Sequence, residues 1–381
     1  MMTITFAVCA FAIWWSYDGY LRFLTAACWL LHRCEPLEGT DHDSPAMTVL
    51  VTAYNEAAII RQRVQNLLDC DYPADRLEIL VASDGSTDGT DEIVHNVDDP
   101  RVRLFRPGVR KGKTDTQNQA LAEITSDIVL FTDAETHFEH QLLRRIVGPL
   151  TDPAVGATAG KVLYSCDCPG MAKGQGFYWD YEMKLRRLES RLGILAVVSG
   201  ACFAVRRELI RPMEAAYGED CVVPLDVALT GHKVVYVETA VAGDRLESTA
   251  SGELRSRIRQ TLRNWQGTWS RRPLLNPLRH PGYALALWSH KLLRWLSPVF
   301  LMGATLSAGW LAWSTMHPVF VAAAAAACGL YAIGLTGWIA DRTGRRIPGA
   351  AAAYSFLLAN LGFLLGVWRA IRGERIQIYR T

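Results

Sequence analysis

From Met47 onward, short runs of apolar, β-favouring residues alternate with stretches in which apolar residues recur every three or four positions. Met47 to Ala53, Leu77 to Ser83, Arg101 to Phe105 and Asp127 to Thr132 read as strands. Glu56 to Cys70 reads as a helix with Ile60, Val64, Leu67 and Leu68 on one face, and a further helix is expected around Thr90 to Val97. Such alternation predicts an α/β domain, a mainly parallel sheet with helices on both faces. Ligands of these sheets sit beyond the carboxyl ends of the strands. Polar clusters fall there three times: Tyr54-Asn55-Glu56, Ser83-Asp84-Gly85-Ser86 and Asp133-Ala134-Glu135. Three placements at one edge predict one site.

The ends of the chain follow a different pattern. Leu296 to Ala340 holds 45 residues without a formal charge, divided by Pro318 after Ser314-Thr315-Met316-His317, and Ile347 to Trp368 is a further uncharged run of 22 residues. A bilayer core takes roughly 20 apolar helical residues, so two spans joined by a turn, and a third, are expected. Ile4 to Leu31 is apolar except around Ser16-Tyr17-Asp18-Gly19, without a clear basic start or small-residue cleavage site, which favours an anchor over a signal peptide. Residues 1–32 are therefore read as the anchor, 33–250 as the soluble domain, 251–295 as basic amphipathic helices at the interface, and 296–381 as the membrane region with an Arg-rich tail. Arg33 after the anchor, with Arg342, Arg345 and Arg346 in a later loop, places the domain on the cytoplasmic side, in a multi-pass inner-membrane topology. One anchor and three later crossings would leave the tail, with Arg369, Arg372, Arg375 and Arg380, on the opposite face. That conflicts with its charge.

Composition adds exclusions. Outside both apolar ends, 276 residues carry 72 of the 78 charges, the density of an ordinary soluble domain. The net charge of +2, with no basic run interleaved with aromatics, gives no reason to expect nucleic acid. Nine scattered cysteines lack structural-zinc spacing, the Cys166/Cys168 pair having no second pair, and read as reduced thiols.

Asp84-Gly85-Ser86-Thr87-Asp88-Gly89-Thr90 supplies a tight turn, with Ser86 or Thr87 expected to cap the next helix. A turn alone does not require Asp84 at the end of an apolar strand, where it is placed to bind a base or ribose. Asp133 and Glu135, two apart, would project to one side of a continuing strand and could hold Mg²⁺ or Mn²⁺, hard cations that bridge to substrate phosphates. Gly108 to Thr114 imitates a P-loop but is one residue short, which argues against an ATPase while leaving Lys113 as a phosphate contact.

Taken in order, these residues resemble the family-2 glycosyltransferases, in the membrane-anchored branch that includes synthases of hyaluronan, cellulose, chitin and poly-N-acetylglucosamine. Val51-Thr52-Ala53-Tyr54-Asn55-Glu56, the Asp84 segment, Gly112-Lys113 and Asp133-Ala134-Glu135 look like the family's opening strand, nucleotide loop, Gly-Lys step and Asp-x-Asp motif, with Glu in place of the second Asp. Tyr178 to Glu182, and Ser199 to Arg207 with Gly200 and Cys202, look like acceptor-side segments; Gly218-Glu219-Asp220 resembles the step that carries the catalytic base. The resemblance covers about residues 47–295, ending in Ser289-His290-Lys291-Leu292-Leu293-Arg294-Trp295. It implies a GT-A (Rossmann-like) domain and an inverting, metal-dependent transfer from a nucleotide-diphosphate sugar, commonly a UDP-sugar, for cell-surface polysaccharide or exopolysaccharide synthesis.

The implied donor residues are Ala53, Tyr54, Glu56, Asp84, Gly85, Lys113 and Asp133; Asp133 and Glu135 would hold the metal, and Asp220 would be the base. Gly200, Cys202, Glu219, Gln260, Arg263 and Trp265 fall on the acceptor side. Processive members carry Gln-x-x-Arg-Trp, whereas here Asn264 separates Arg263 from Trp265. That departure favours, as the alternative, transfer of one sugar to a lipid-linked acceptor. The arginines of 255–272 also suit a helix resting on headgroups. Two readings from other classes are a transporter with a nucleotide-sensing domain, opposed by the lack of ionisable groups in Leu296 to Ala340, and an inactive nucleotide-binding subunit, opposed by Asp84, Asp133 and Asp220 together.

Overall fold

The computed structural model describes residues 1–32, 44–165, 171–245, 249–345, 347 and 349–376. Arg33, Arg346, Arg380 and the Cys166/Cys168 pair lie outside the described residues. The chain begins with α1 (Met2–Trp14) and α2 (Tyr20–Leu30), joined by a π-helical segment, Trp15–Gly19. The soluble domain runs β1 (Met47–Ala53), α3 (Ile60–Leu68), β2 (Leu77–Ser83), α4 (Thr90–His95), β3 (Val102–Phe105), α5 (Lys113–Leu121) and β4 (Ile128–Asp133). It continues with β5 (His137–Phe138), α6 (Leu142–Val147), β6 (Val155–Ser165), α7 (Met171–Arg191), β7 (Phe203–Arg206), α8 (Glu219–Leu229) and β8 (Lys233–Arg245). Then come α9 (Ala250–Ser270), α10 (Pro281–Ala286), a second π-helical segment (Leu287–Leu292) and α11 (Leu293–Trp295). Three long helices follow: α12 (Ser297–Thr315), α13 (Pro318–Arg342) and α14 (Ala350–Ile371).

Among the described residues the strands form one sheet in the order β3-β2-β1-β4-β7-β6-β8-β5. The first four are mutually parallel; β7 runs antiparallel to β4 and β6, and β5 antiparallel to β8. β1 is buried along nearly its whole length, as expected of a central strand covered on both faces. Val49, Val51, Ile79 and Val81 face a core closed by Val64 and Leu67 of α3 and Ile146 of α6. Leu50, Leu80 and Phe131 face the opposite core with Leu121 and Val222, where the Phe131 and Phe203 rings stack at 4.7 Å. Register decides the site's location: Ala53 pairs with Ser83 and Thr52 with Asp133, so all three polar clusters emerge at one edge.

Two local expectations are corrected. Neither Ser86 nor Thr87 caps α4. Its cap residue is Gly89, at φ +94°, and the Asp88 carboxylate accepts from the Thr90 amide at 3.1 Å. Ser86 Oγ instead accepts from the Asn55 amide at 3.1 Å, and Thr90 Oγ1 from the Glu56 amide at 2.8 Å, fastening the β1 loop to the β2 loop. β4 also ends at Asp133, so Glu135 stands in a turn rather than further along a strand, because the chain must reverse into β5.

α13 and α14 are each long and apolar enough to cross a membrane, and Pro281–Trp295 with Ser297–Thr315 passes as one pair bent by 61°. The break expected at Pro318 is present: Met316 closes α12 at φ +54° and Pro318 opens α13. Phe6 meets Phe320 edge-on at 5.4 Å, placing the start of α1 beside the start of α13. At the other end of α12, Ser297 Oγ donates to Asn360 Oδ1 at 2.7 Å and lies 3.0 Å from Tyr17 Oη.

α14 does not continue away from the domain. From Gly362 onward it lies against α9, and Gln266 Nε2 donates to the Glu374 carbonyl at 2.8 Å. A Cβ on Gly366 would meet Thr261 Cβ at 2.6 Å and the Ile258 carbonyl at 3.0 Å. Gly366→Val therefore overpacks this contact, and a loss of about 1–3 kcal/mol is expected, read as a lower unfolding temperature in detergent. A Gly366→Val protein that melts with the wild type would mean that the helices do not rest together.

Candidate active site

The strand edge opens into a cleft of about 640 Å³. β1 contributes Thr52 and the loop after it Glu56, β4 contributes Asp133 with Glu135 in the following turn, and the start of α5 contributes Lys113. Gly218, Glu219 and Asp220 reach it from the start of α8, and Gly200 from the loop before β7. Gly200 and Gly218 leave room for the two acids: a Cβ on Gly200 would stand 3.3 Å from Glu219 Oε1, and one on Gly218 would collide with Asp220 Oδ1.

Lys113 Nζ lies 2.6 Å from both Asp133 Oδ1 and Glu219 Oε1. Burial alone would drive its proton off, but the two carboxylates outweigh it and raise the pKa. Glu219, buried, is held below the usual carboxylate range because Lys113 and Arg263 overcome its desolvation. Asp220 goes the other way. Burial, and then the neighbouring Glu219 charge, push it up to about 6 against the pull of Lys113 and Arg263. Gly218 is the cap of α8, so Asp220 sits inside the first turn and is not a cap residue. Two adjacent acids with oppositely displaced affinities form a proton-accepting arrangement near neutrality. Glu56 is also raised, by burial and by the charges of Glu135, Asp88 and Asp133.

Asp133 and Glu135 both border the cleft. Among the described residues no three His, Cys, Asp or Glu side chains form a self-sufficient cage. The donors present are hard carboxylate oxygens, and Asp133 keeps 31% of its side chain exposed to the cleft. Mg²⁺ and Mn²⁺ are held in this manner by one or two carboxylates, with substrate phosphates completing the shell. The residues fit a cation that arrives with a diphosphate.

Other expected site residues lie elsewhere. Asp84 is buried behind the cleft: its carboxylate accepts from the Lys111 and Gly112 amides at 2.9 and 3.0 Å and from Thr116 Oγ1 at 2.9 Å. It shapes the 110–112 loop and is not among the lining residues. Beside it Gly85, at φ +72°, lies against the Arg110 backbone, and the Arg110 guanidinium stacks 3.5 Å from the Tyr54 ring centre. Ala53 is buried at the end of β1. Cys202 is wholly buried, its sulfur packed on Gly160, so it supports the sheet and cannot touch an acceptor. Trp265 turns toward Trp269 and Trp295, at 6.0 and 6.1 Å, in a cluster that includes Phe363 of α14. The extra residue Asn264 lines the cleft in its place. Gln260 also lines it, and Arg263 donates to Thr114 Oγ1 at 2.8 Å and to the Tyr217 carbonyl, holding the loop before α8.

The segments Tyr178 to Glu182 and Ser289 to Trp295, singled out separately in the sequence, meet at the far end of the cleft. Tyr164 and Trp179, stacked at 4.0 Å, form an aromatic wall. Beyond them lies a buried network in which Glu182 accepts from His290 Nε2 and Arg294 Nη1, both at 2.7 Å, and His290 Nδ1 stands 2.9 Å from Glu189. The available signal was an acid in an otherwise helical Tyr-Trp-Asp-Tyr-Glu stretch and a histidine beside an apolar run. Nothing local links them.

Residues 48–213 match the family model of glycosyl transferase family 2. This stretch is a family 2 glycosyltransferase domain. The chain is 26% identical over 240 residues to a probable glycosyltransferase, YdaM, of Bacillus subtilis (strain 168), covering 56% of this chain and 54% of that one. It is 31% identical over 176 residues to a beta-monoglucosyldiacylglycerol synthase of Synechocystis sp., covering 40% and 37% respectively. An N-acetylglucosaminyltransferase of Rhizobium meliloti is 26% identical over 272 residues, covering 64% and 61%. The chain thus spans about half the length of these curated relatives. Among solved structures, a mannosyltransferase from Pyrobaculum calidifontis in complex with GDP-Man and Mn²⁺ superposes with a TM-score of 0.75 at 22% identity, over 98% of this chain and 100% of its own. That likeness speaks for the fold, a GT-A type sheet with its attached helices.

Proposed function

We propose that the protein is an inverting, metal-dependent glycosyltransferase that uses a nucleotide-diphosphate sugar at the cytoplasmic face of a membrane. The observation that carries this reading is the convergence of Asp133, Lys113, Glu219 and Asp220 in one cleft within a family 2 domain. Glu56, Lys113 and Asp133 would border the donor, with Tyr54, Asp84 and Gly85 shaping the loop beneath it. A bound Mg²⁺ or Mn²⁺, held by Asp133 with Glu135, would offset the charge of the leaving diphosphate. Lys113 contributes to the same end: one ion pair at 4 Å is worth ~4 kcal/mol at an effective dielectric of 20. The acceptor hydroxyl oxygen bonds to the anomeric carbon as the bond to the diphosphate oxygen breaks, and Asp220 takes the hydroxyl proton.

The relatives that are N-acetylglucosaminyltransferases and poly-beta-1,6-N-acetyl-D-glucosamine synthase favour a role in cell-surface polysaccharide synthesis. Trp265, directed away from the cleft, favours the second reading, transfer of one sugar to a lipid-linked acceptor. Purified protein supplied with a panel of nucleotide sugars and Mn²⁺ is expected to release nucleotide from at least one, and a labelled product of one added sugar would select the second reading over a polymer ladder. Turnover of none would refute the function.

The packing of α14 on α9 supports three crossings, by α1, α12 and α13, with α14 lying along the membrane surface. This arrangement returns Arg369, Arg372 and Arg375 to the domain's side and removes the conflict with their charge. A fluorescent reporter fused after Thr381 should light up in the cytoplasm; an active periplasmic phosphatase at the same position would contradict the topology.

A further inference from the structure

Lys113 is delivered to one place by the chain on both sides of it. Before it, Asp84 accepts from the Lys111 and Gly112 amides at 2.9 and 3.0 Å. After it, Thr114 Oγ1 donates to the Tyr217 carbonyl at 3.1 Å and accepts from Arg263 at 2.8 Å. The side chain reaches from the start of α5 into the cleft and keeps 22% of its surface exposed. Its ammonium lies 2.6 Å from Asp133 Oδ1 at the end of β4 and 2.6 Å from Glu219 Oε1 at the start of α8. One cation thus bridges the carboxylate expected to hold the metal and the buried neighbour of the expected base.

Asp133 therefore faces two claimants. A divalent cation and an ammonium on one carboxylate repel each other, and a partly enclosed site screens that repulsion less than water does. A bare ion can take Asp133 only by standing beside Lys113 or by pushing it off. The second course deprives Glu219, which is 3% exposed, of a cation 2.6 Å away. The protein offers the ion little in return, since among the described residues no three His, Cys, Asp or Glu side chains form a cage. A diphosphate changes both sides of this contest. Its oxygens complete the shell of a hard cation and accept hydrogen bonds from the ammonium, so the lysine exchanges carboxylate for phosphate. Lysine suits such an exchange, being a point charge on a flexible stem rather than a planar fork.

We propose that Lys113 is a competitor built into the metal site: it holds Asp133 against a divalent cation and yields to a diphosphate, so that cation and nucleotide load together. This role rests on the reading of Asp133 as a metal ligand, and Asp133→Asn separates the two.

The full chain in neutral maltoside micelles is titrated with Mn²⁺, the free ion being read by its electron paramagnetic resonance signal. The titration is made first with Mn²⁺ alone and then with UDP, GDP or inorganic pyrophosphate present. With Mn²⁺ alone, Lys113→Met is expected to bind the ion about tenfold or more tightly than the wild type, and adding Asp133→Asn should abolish the gain. Lys113→Arg keeps the positive charge and should bind no better than the wild type. With a diphosphate present the order should reverse, the wild type holding Mn²⁺ more tightly than Lys113→Met, which has lost the phosphate contact. Lys113→Gln, also uncharged, replaces Lys113→Met should that variant fail to fold. Mn²⁺ bound no more tightly by the uncharged variants, a gain that survives Asp133→Asn, or an order that no diphosphate reverses overturns the proposal. Wild-type binding that depends on Asp133 but not on Lys113 removes the competitor and leaves the metal reading standing; binding through Asp133 in no form removes both.

Discussion

Asp220→Asn is expected to lower sugar transfer by about 10²–10⁴-fold, the usual contribution of a positioned base. The substitution keeps the shape of the side chain beside Gly218 and Gly200 but removes the proton acceptor. Nucleotide binding should survive, because Lys113, Asp133 and Glu56 are untouched. The pH profile carries the same information. Asp220 is pushed up to about 6, and only its ionised form accepts a proton, so wild-type turnover should fall about tenfold per pH unit below that value. The residual rate of Asp220→Asn should lack this limb. A variant that keeps both rate and limb would move the base elsewhere.

Glu182→Gln is expected to have the largest effect on stability. Glu182 is 2% exposed and accepts from two cationic partners at 2.7 Å, His290 when protonated and Arg294, with Lys291 close by. Burial alone would raise its pKa, but His290, Lys291 and Arg294 together hold it well below the usual carboxylate range. The neutral amide would remove the negative charge that Arg294 and Lys291 share at Glu182, a loss of about 3–5 kcal/mol. Unfolding in detergent should begin on the order of 10 °C lower. The sign of the pH effect follows from the lowered pKa: this stabilisation is present above the ordinary carboxylate range and is lost as the pH falls through the folded value. An unchanged melting temperature would show that the network contributes nothing.

The sequence made the sheet legible because each strand announces itself locally. The burial of β1 and β2 on both faces demands uninterrupted apolar runs, and the register that aligns Ala53, Ser83 and Asp133 follows from parallel pairing. The break at Pro318 was legible for the same reason, a property of the residue itself. Side-chain direction was not. Asp84 and Asp133 both end apolar strands, yet the 110–112 loop folds over one and leaves the other open. Cys202 sits in an acceptor-like segment but is buried just before β7 with its sulfur against Gly160, while Gly200, in the turn ahead of it, borders the cleft.

The basic residues of α9 illustrate a further limit. Their spacing suited a helix resting on lipid headgroups, but Arg257, Arg259 and Arg263 line the cleft, and Arg271 pairs with Asp226 at 2.8 Å. α14 covers part of this helix, which no property of residues 251–295 foretells. The Glu182–His290 bond likewise joins residues 108 apart in sequence. Pairings set by how helices meet must be seen in three dimensions.

The most direct test of the account is calorimetric titration of UDP and GDP into the full-length wild type, Asp133→Asn and Asp220→Asn, each with Mn²⁺ and again with chelator. At least one nucleotide should bind the wild type in Mn²⁺, weaken by about a hundredfold with chelator or in Asp133→Asn, and bind Asp220→Asn as it binds the wild type. Affinity indifferent to Mn²⁺, to chelator and to Asp133 would contradict the claim that these acids serve one activated sugar.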